Sequence, residues 1–206
     1  MKYLILGLAA SAVLAQPAIA QDYEDRAENT PASKDGLRIE GRVMWERIND
    51  PEEDIGINYE LGSGVAFGGE IGYDFYVSDS VVVGPYANYE TSSVESCEGN
   101  FCVSSGGYWA AGIHAGFMTG GNGMIYGKLG YGQQTVDIEG PLDINGTIVN
   151  FDESESGGGY NAAFGYDHSF SENLYGRVEV GISESYDIYG FDFQRANVGV
   201  ALGARF

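Results

Sequence analysis

The chain has 206 residues, with 10 Lys and Arg against 30 Asp and Glu, a net charge of −20, 44% apolar residues, 32 Gly, 15 Tyr and 10 Phe. That length allows one domain of ordinary size. Binding to a phosphate backbone relies on a surplus of clustered cations, so nucleic acid is not an expected partner, and the hydropathy and aromatic content argue against general disorder.

Lys2 supplies a positive start, residues 3–14 an apolar run, and Ala18, Ile19 and Ala20 a small-x-small cleavage site, the pattern of an export signal at 1–20 cut after Ala20. The run is too short to cross a bilayer as a helix, and no apolar stretch of helical span length follows it. Residues 21–35 are polar, charged and aperiodic, and read as a flexible lead-in to a domain at 36–206.

From Gly36 onward the period is two. In 37–47, Leu37, Ile39, Val43 and Trp45 alternate with Arg38, Glu40, Arg42 and Glu46. In 64–77, Val65, Phe67, Ile71, Tyr73 and Phe75 oppose Ala66, Glu70, Gly72 and Asp74. The run 81–91 places Gly84, Tyr86, Asn88 and Glu90 on one face and Pro85 on the other, where its missing N–H weakens the ladder. Further runs fall at 108–118, 124–138, 160–168, 174–185 and 194–206, which makes eight. In the last, Ala196, Val198, Val200, Leu202, Ala204 and Phe206 face away from Arg195, Asn197, Gly199, Ala201, Gly203 and Arg205.

Short polar turns at 78–80, 119–123 and 169–173 alternate with longer acidic connections at 48–63, 92–107, 139–159 and 186–193. Such alternation describes an up-and-down antiparallel meander with one elaborated end; no helical period of useful length interrupts it. Asn145-Gly146 within the third long connection is a type I′ hairpin signal, so the two flanking strands are expected to continue as a projecting ribbon.

Alternation alone fits either a soluble barrel with an apolar interior or a transmembrane barrel with a polar one. Three features favour the second. The polar face mixes ions with many glycines, which a cramped lumen needs and a solvated surface does not. Phe75, Tyr76, Tyr108, Trp109, Phe117, Tyr126, Tyr166 and Tyr175 sit near run ends, as interfacial girdles would. The runs are also long enough to cross a hydrocarbon layer at a tilt.

With its export signal, the segment IYGKLGYG at 125–132 and the ending VGVALGARF at 198–206, the chain resembles the small OmpA/OmpX-type and opacity-type outer-membrane β-barrels of Gram-negative bacteria. The resemblance spans essentially everything after residue 36. It implies an eight-stranded antiparallel up-and-down transmembrane β-barrel in the cell outer membrane, with periplasmic termini and short turns, and with the long acidic loops outside the cell. It also implies that Phe206 is the signal read by the barrel-assembly machinery and that lipids and lipopolysaccharide surround the barrel; a peptidoglycan-binding domain of the OmpA kind is not expected after it.

Buried ions persist when paired, so Arg42, Lys128, Arg177 and Arg195 are expected to form a lumen network with Glu70, Glu90 and Glu179. Eight strands leave room for side chains only, which favours a filled plug over a water path. His114 is expected to point into the lumen as a satisfied interior histidine rather than a gate or metal ligand, since no Cys or second His is spaced to join it. His168 and Ser169 resemble the His and Ser of a lipid A deacylase but fall at a short turn. Cys97 and Cys102, four residues between them, suit a structural disulfide better than a redox pair. Asp50, Glu52, Glu53, Asp54, Asp143, Asp152, Glu153 and Glu155 make the loops anionic; they match no EF-hand spacing and read as a solvated rim. Asn145-Gly146-Thr147 fits the glycosylation pattern but reads as the hairpin turn.

Expected, then, is a monomeric barrel without enzymatic activity or cofactor, serving envelope structure or surface interaction with a protein partner at its loops. The rivals are a narrow porin or small-solute channel, a lipid-modifying barrel enzyme and a soluble binding barrel.

Overall fold

In the computed structural model the described residues are 34–50, 60–144 and 147–206. The expected signal, most of the lead-in, Glu52, Glu53, Asp54 and the Asn145-Gly146 turn lie outside them. Nine strands follow in order: β1 Gly36–Asn49, β2 Glu60–Ser78, β3 Val81–Ser92, β4 Glu95–Glu98, β5 Phe101–Gly120, β6 Gly123–Ile144, β7 Thr147–Ser169, β8 Leu174–Ile188 and β9 Phe191–Arg205.

Eight of them pair antiparallel with their neighbours in a ring that closes through β1–β9 and β3–β5. Closure leaves the wall of the barrel no free edge. The ninth, β4, pairs with β5 outside the ring. Pro85 does interrupt the ladder: β2 and β3 pair at Gly72↔Tyr86 and again at Phe75↔Val83, with no pair recorded between. The β6–β7 hairpin continues unbroken from Gly123↔His168 to Ile144↔Thr147, so the projecting ribbon is present, and β4 and the start of β5 widen it into a four-stranded sheet. The period-two reading stopped short of that sheet because the residues at 95–107 carry no clean apolar face.

The orientation question is resolved by burial. Val43, Trp45, Phe67, Ile71, Val178, Val180, Val198, Val200 and Leu202 are exposed on the outer wall, while Arg38, Arg42, Glu70, Arg177, Glu179 and Arg195 of the same strands are buried inside. Four of the expected girdle residues are corrected: Tyr108, Tyr126 and Tyr175 are buried and face the lumen, and Tyr76, two residues from Asp74, lies at the mouth on the lumen parity, whereas Phe75, Trp109, Phe117 and Tyr166 do face outward. The reason is parity. Tyr126 and Lys128, or Tyr175 and Arg177, are two residues apart and therefore share a face. Tyr126 pairs across strands with Gly165, and Tyr175 with Gly203. Each ring lies over its glycine, in space that a Cβ there would occupy, so these glycines are what admit an aromatic side chain to a narrow interior.

At the end that carries the long connections, Ile48, Leu61, Val94, Val136, Ile188 and Phe193 form a buried apolar cluster. They come from five strands and the β3–β4 connection; Ile48, Val136 and Phe193 keep the inward parity of their strands, while Leu61 and Ile188 turn inward at register shifts. The polar interior therefore ends under an apolar cap.

Candidate functional site

The lumen is a layered ion network. Nearest the short turns, the Lys34 ammonium is 2.7 Å from Asp167 Oδ1. In the next layer Asp74 holds Arg38 at 2.7 Å, Arg205 at 3.5 Å and His114 Nδ1 at 3.1 Å. Glu70 forms the centre, with Arg42 at 2.8 Å, Lys128 at 2.6 Å, Arg38 at 3.1 Å and Arg177 at 3.3 Å. Lys128 and Arg42 also reach Glu179, whose second oxygen accepts the Tyr126 hydroxyl at 2.7 Å. Below the cap, Arg195 joins Glu46 and Glu90, and Ser92 donates to Glu46.

All seven residues named from the sequence, Arg42, Glu70, Glu90, Lys128, Arg177, Glu179 and Arg195, are buried and belong to this one connected cluster. Sequence reasoning left out Lys34, Arg38, Glu40, Glu46, Asp74, Asp167 and Arg205, which are also buried. Their signal was again parity, since Arg38, Glu40 and Glu46 alternate with Leu37, Ile39 and Trp45 as Arg42 does. The strands thus bury six cations against seven carboxylates, and Lys34, ahead of β1, is the seventh cation. Asp50, just past β1, is a further buried carboxylate at the capped mouth.

Tyrosines complete the packing. Arg177 lies over the Tyr126 ring at 4.3 Å and Arg195 over Tyr108 at 4.4 Å. Tyr86 donates to Asn161 Oδ1 at 2.6 Å, and Asn161 donates to the Tyr108 hydroxyl at 2.9 Å. Among Arg42, Tyr86, Lys128 and Asn197 the remaining cavity is about 10 Å³, room for about one water. Such an arrangement holds charge in place.

His168 and Ser169 face opposite ways. His168 is exposed between Tyr166 and Phe170, whereas Ser169 is buried and accepts from Lys34 at 2.7 Å. No hydrogen bond can join a nucleophile and a base on opposite sides of a strand. His114 is buried beside Asp74 and packs on Tyr126 at 4.9 Å. Among the described residues, the one group of three possible metal ligands is Glu95 with Cys97 and Cys102, and these two sulfurs are joined in a disulfide of 2.04 Å that ties β4 to β5.

The outside is acidic and largely unpaired by cations of the chain. Among the described residues the exposed cation is Arg47, itself paired with Glu60 at 2.8 Å. The projecting sheet places Glu139 directly opposite Asp152, and Asp152 and Glu153 are exposed, while Glu155 accepts the Tyr189 N–H at 2.7 Å. From Thr147 to Tyr160, β7 pairs with β6 alone; its pairing with β8 starts at Asn161↔Ser183. At the other end Phe206 is exposed and its backbone exchanges hydrogen bonds with Leu37 at 2.9 and 3.0 Å.

No protein-family model and no curated protein matches the chain. Solved structures do. Ail, the attachment invasion locus protein of Yersinia pestis, in complex with the heparin analogue sucrose octasulfate, superposes with a TM-score of 0.54 at 15% identity, over 82% of this chain and 99% of that one. Neisserial surface protein A superposes with a TM-score of 0.52 at 12% identity, over 83% and 97%. With its closed antiparallel ring, outward apolar belt and charged interior, the chain has the fold of the small outer-membrane β-barrels of Gram-negative bacteria.

Proposed function

We propose that the chain is exported by its N-terminal signal, inserts in the outer membrane as a closed barrel, and acts at the cell surface through its projecting acidic sheet, without catalysis. The outer belt of aliphatic side chains supports insertion, because in water so large an apolar surface would associate. The ion-filled lumen and the apolar cap support a plug rather than a channel. The lumen ions then act as fold-specifying pairs, the Cys97–Cys102 disulfide as a clamp on the sheet, and Phe206 as a recognition element for barrel assembly.

One observation carries the surface role: the projecting sheet, in which residues 147–154 of β7 pair with β6 alone, before the β8–β9 turn comes against the strand at Glu155. An uncovered edge offers backbone N–H and C=O groups to an incoming strand. The sign of the charge narrows the partner. Ail was crystallised with a polysulfate, but here the described rim is anionic and its exposed cation is already paired. The counterpart is therefore a cationic extended segment of protein.

The test uses the barrel in lipid nanodiscs and an immobilised peptide of alternating Lys and Val. Binding that weakens with salt, and is lost on deletion of residues 141–151 while the barrel stays folded, is the expected result. Equal binding by the deletion variant would refute the edge as the docking element. A steady large conductance in planar bilayers would instead favour the channel reading, and a mass change in lipid A the enzyme reading.

A further inference from the structure

Lys34 precedes β1, yet its side chain ends on the far side of the barrel. In the ring, β1 stands opposite β6, and the Lys34 ammonium reaches the β5–β6 turn and β7. Its three N–H groups meet three acceptors: Asp167 Oδ1 at 2.7 Å, Ser169 Oγ at 2.7 Å and the Asn122 backbone oxygen at 2.9 Å. An ammonium has three donors and no acceptor, so this set satisfies it completely. Lys34, Asp167 and Ser169 are all within 2% of full burial. On the near side, the Lys34 backbone N–H donates to the Tyr76 hydroxyl at 3.0 Å, which holds the segment across the mouth.

Charge makes the same point independently. The strands bury seven carboxylates but six cations, and Lys34 is the one buried cation outside the strands, whereas Asp50, the buried carboxylate outside them, lies at the opposite, capped mouth. A buried carboxylate short of counter-charge is unfavourable. We infer that the short-turn mouth of the barrel is a binding site for a primary ammonium group, and that Lys34 of the chain's own N-terminal segment occupies it as a tethered counter-ion. Asp167 is also held by Arg177 at 3.5 Å and Arg205 at 3.3 Å. The acceptor set therefore stays assembled when Lys34 is removed, and the vacated site takes a small free amine.

The mature chain, folded in detergent micelles, carries the test. Lys34→Met should lower the temperature at which the folded gel band converts to the unfolded one by several degrees. Methylammonium chloride should raise it again, while tetramethylammonium chloride at the same concentration, equal in charge but without N–H donors, should not. Adding Asp167→Asn should abolish the difference between the two salts. Lys34→Met with an unchanged transition, or two salts acting alike, would overturn the inference. Should that variant fail to fold, amine acylation of the folded wild-type chain decides: protection of Lys34 equal to that of Lys128 supports the site, and rapid labelling of Lys34 refutes it.

Discussion

Glu70→Gln is the sharpest probe of the lumen, because it keeps the volume and removes one charge at the point where the network converges. Four cations lie within 3.3 Å of the Glu70 carboxylate. Removing one partner of a buried ion pair typically costs about 3–5 kcal/mol. Here each cation keeps another carboxylate: Arg38 has Asp74 at 2.7 Å, Lys128 has Glu179 at 2.6 Å, Arg177 has Glu40 at 3.1 Å, and Arg42 has Glu179 and Glu90. The expected cost is therefore at the lower end, about 3 kcal/mol. For a chain of this size that shifts a thermal midpoint by roughly 6–12 °C. Heat-modifiable gel mobility reads the midpoint, and urea unfolding in vesicles, followed by the fluorescence of Trp45 and Trp109, reads the free energy. Glu60→Gln is the control, since its partner Arg47 is exposed and such pairs contribute about 0.5 kcal/mol. If Glu70→Gln lost no more than about 1 kcal/mol beyond that control, water would be solvating the lumen charges and the reading of a dry, paired interior would fail.

Two further outcomes test the wall and the sheet. Spin labels at Val198 and Val200 should sense oxygen dissolved in acyl chains, and a label at Asn197 should not; the reverse pattern would mean that the apolar stripe faces inward. Reduction of the Cys97–Cys102 disulfide should leave the barrel transition unchanged but speed amide exchange across 93–107, since cross-linking so short a loop is worth roughly 2 kcal/mol locally. Unchanged exchange would show that β4 is held by its ladder alone.

Much of this molecule is a local pattern. Strand positions, the long and short connections, the hairpin about Asn145-Gly146 and the inward placement of Arg42, Glu70, Glu90, Lys128, Arg177, Glu179 and Arg195 all follow from side chains alternating across a pleated strand. The same rule would have moved Tyr126 and Tyr175 inside, had their two-residue spacing from Lys128 and Arg177 been weighed above their place near run ends. What periodicity cannot encode is which ions meet. Arg42 and Glu179 are 137 residues apart, Arg195 and Glu46 149, and Lys34 and Asp167 133. Those pairs exist only because closing the ring brings opposite walls within one side-chain length of each other. The apolar cap has the same origin: Ile48, Leu61, Val136 and Phe193 look unremarkable in their own strands and become a seal only when β1, β2, β6 and β9 converge at one mouth.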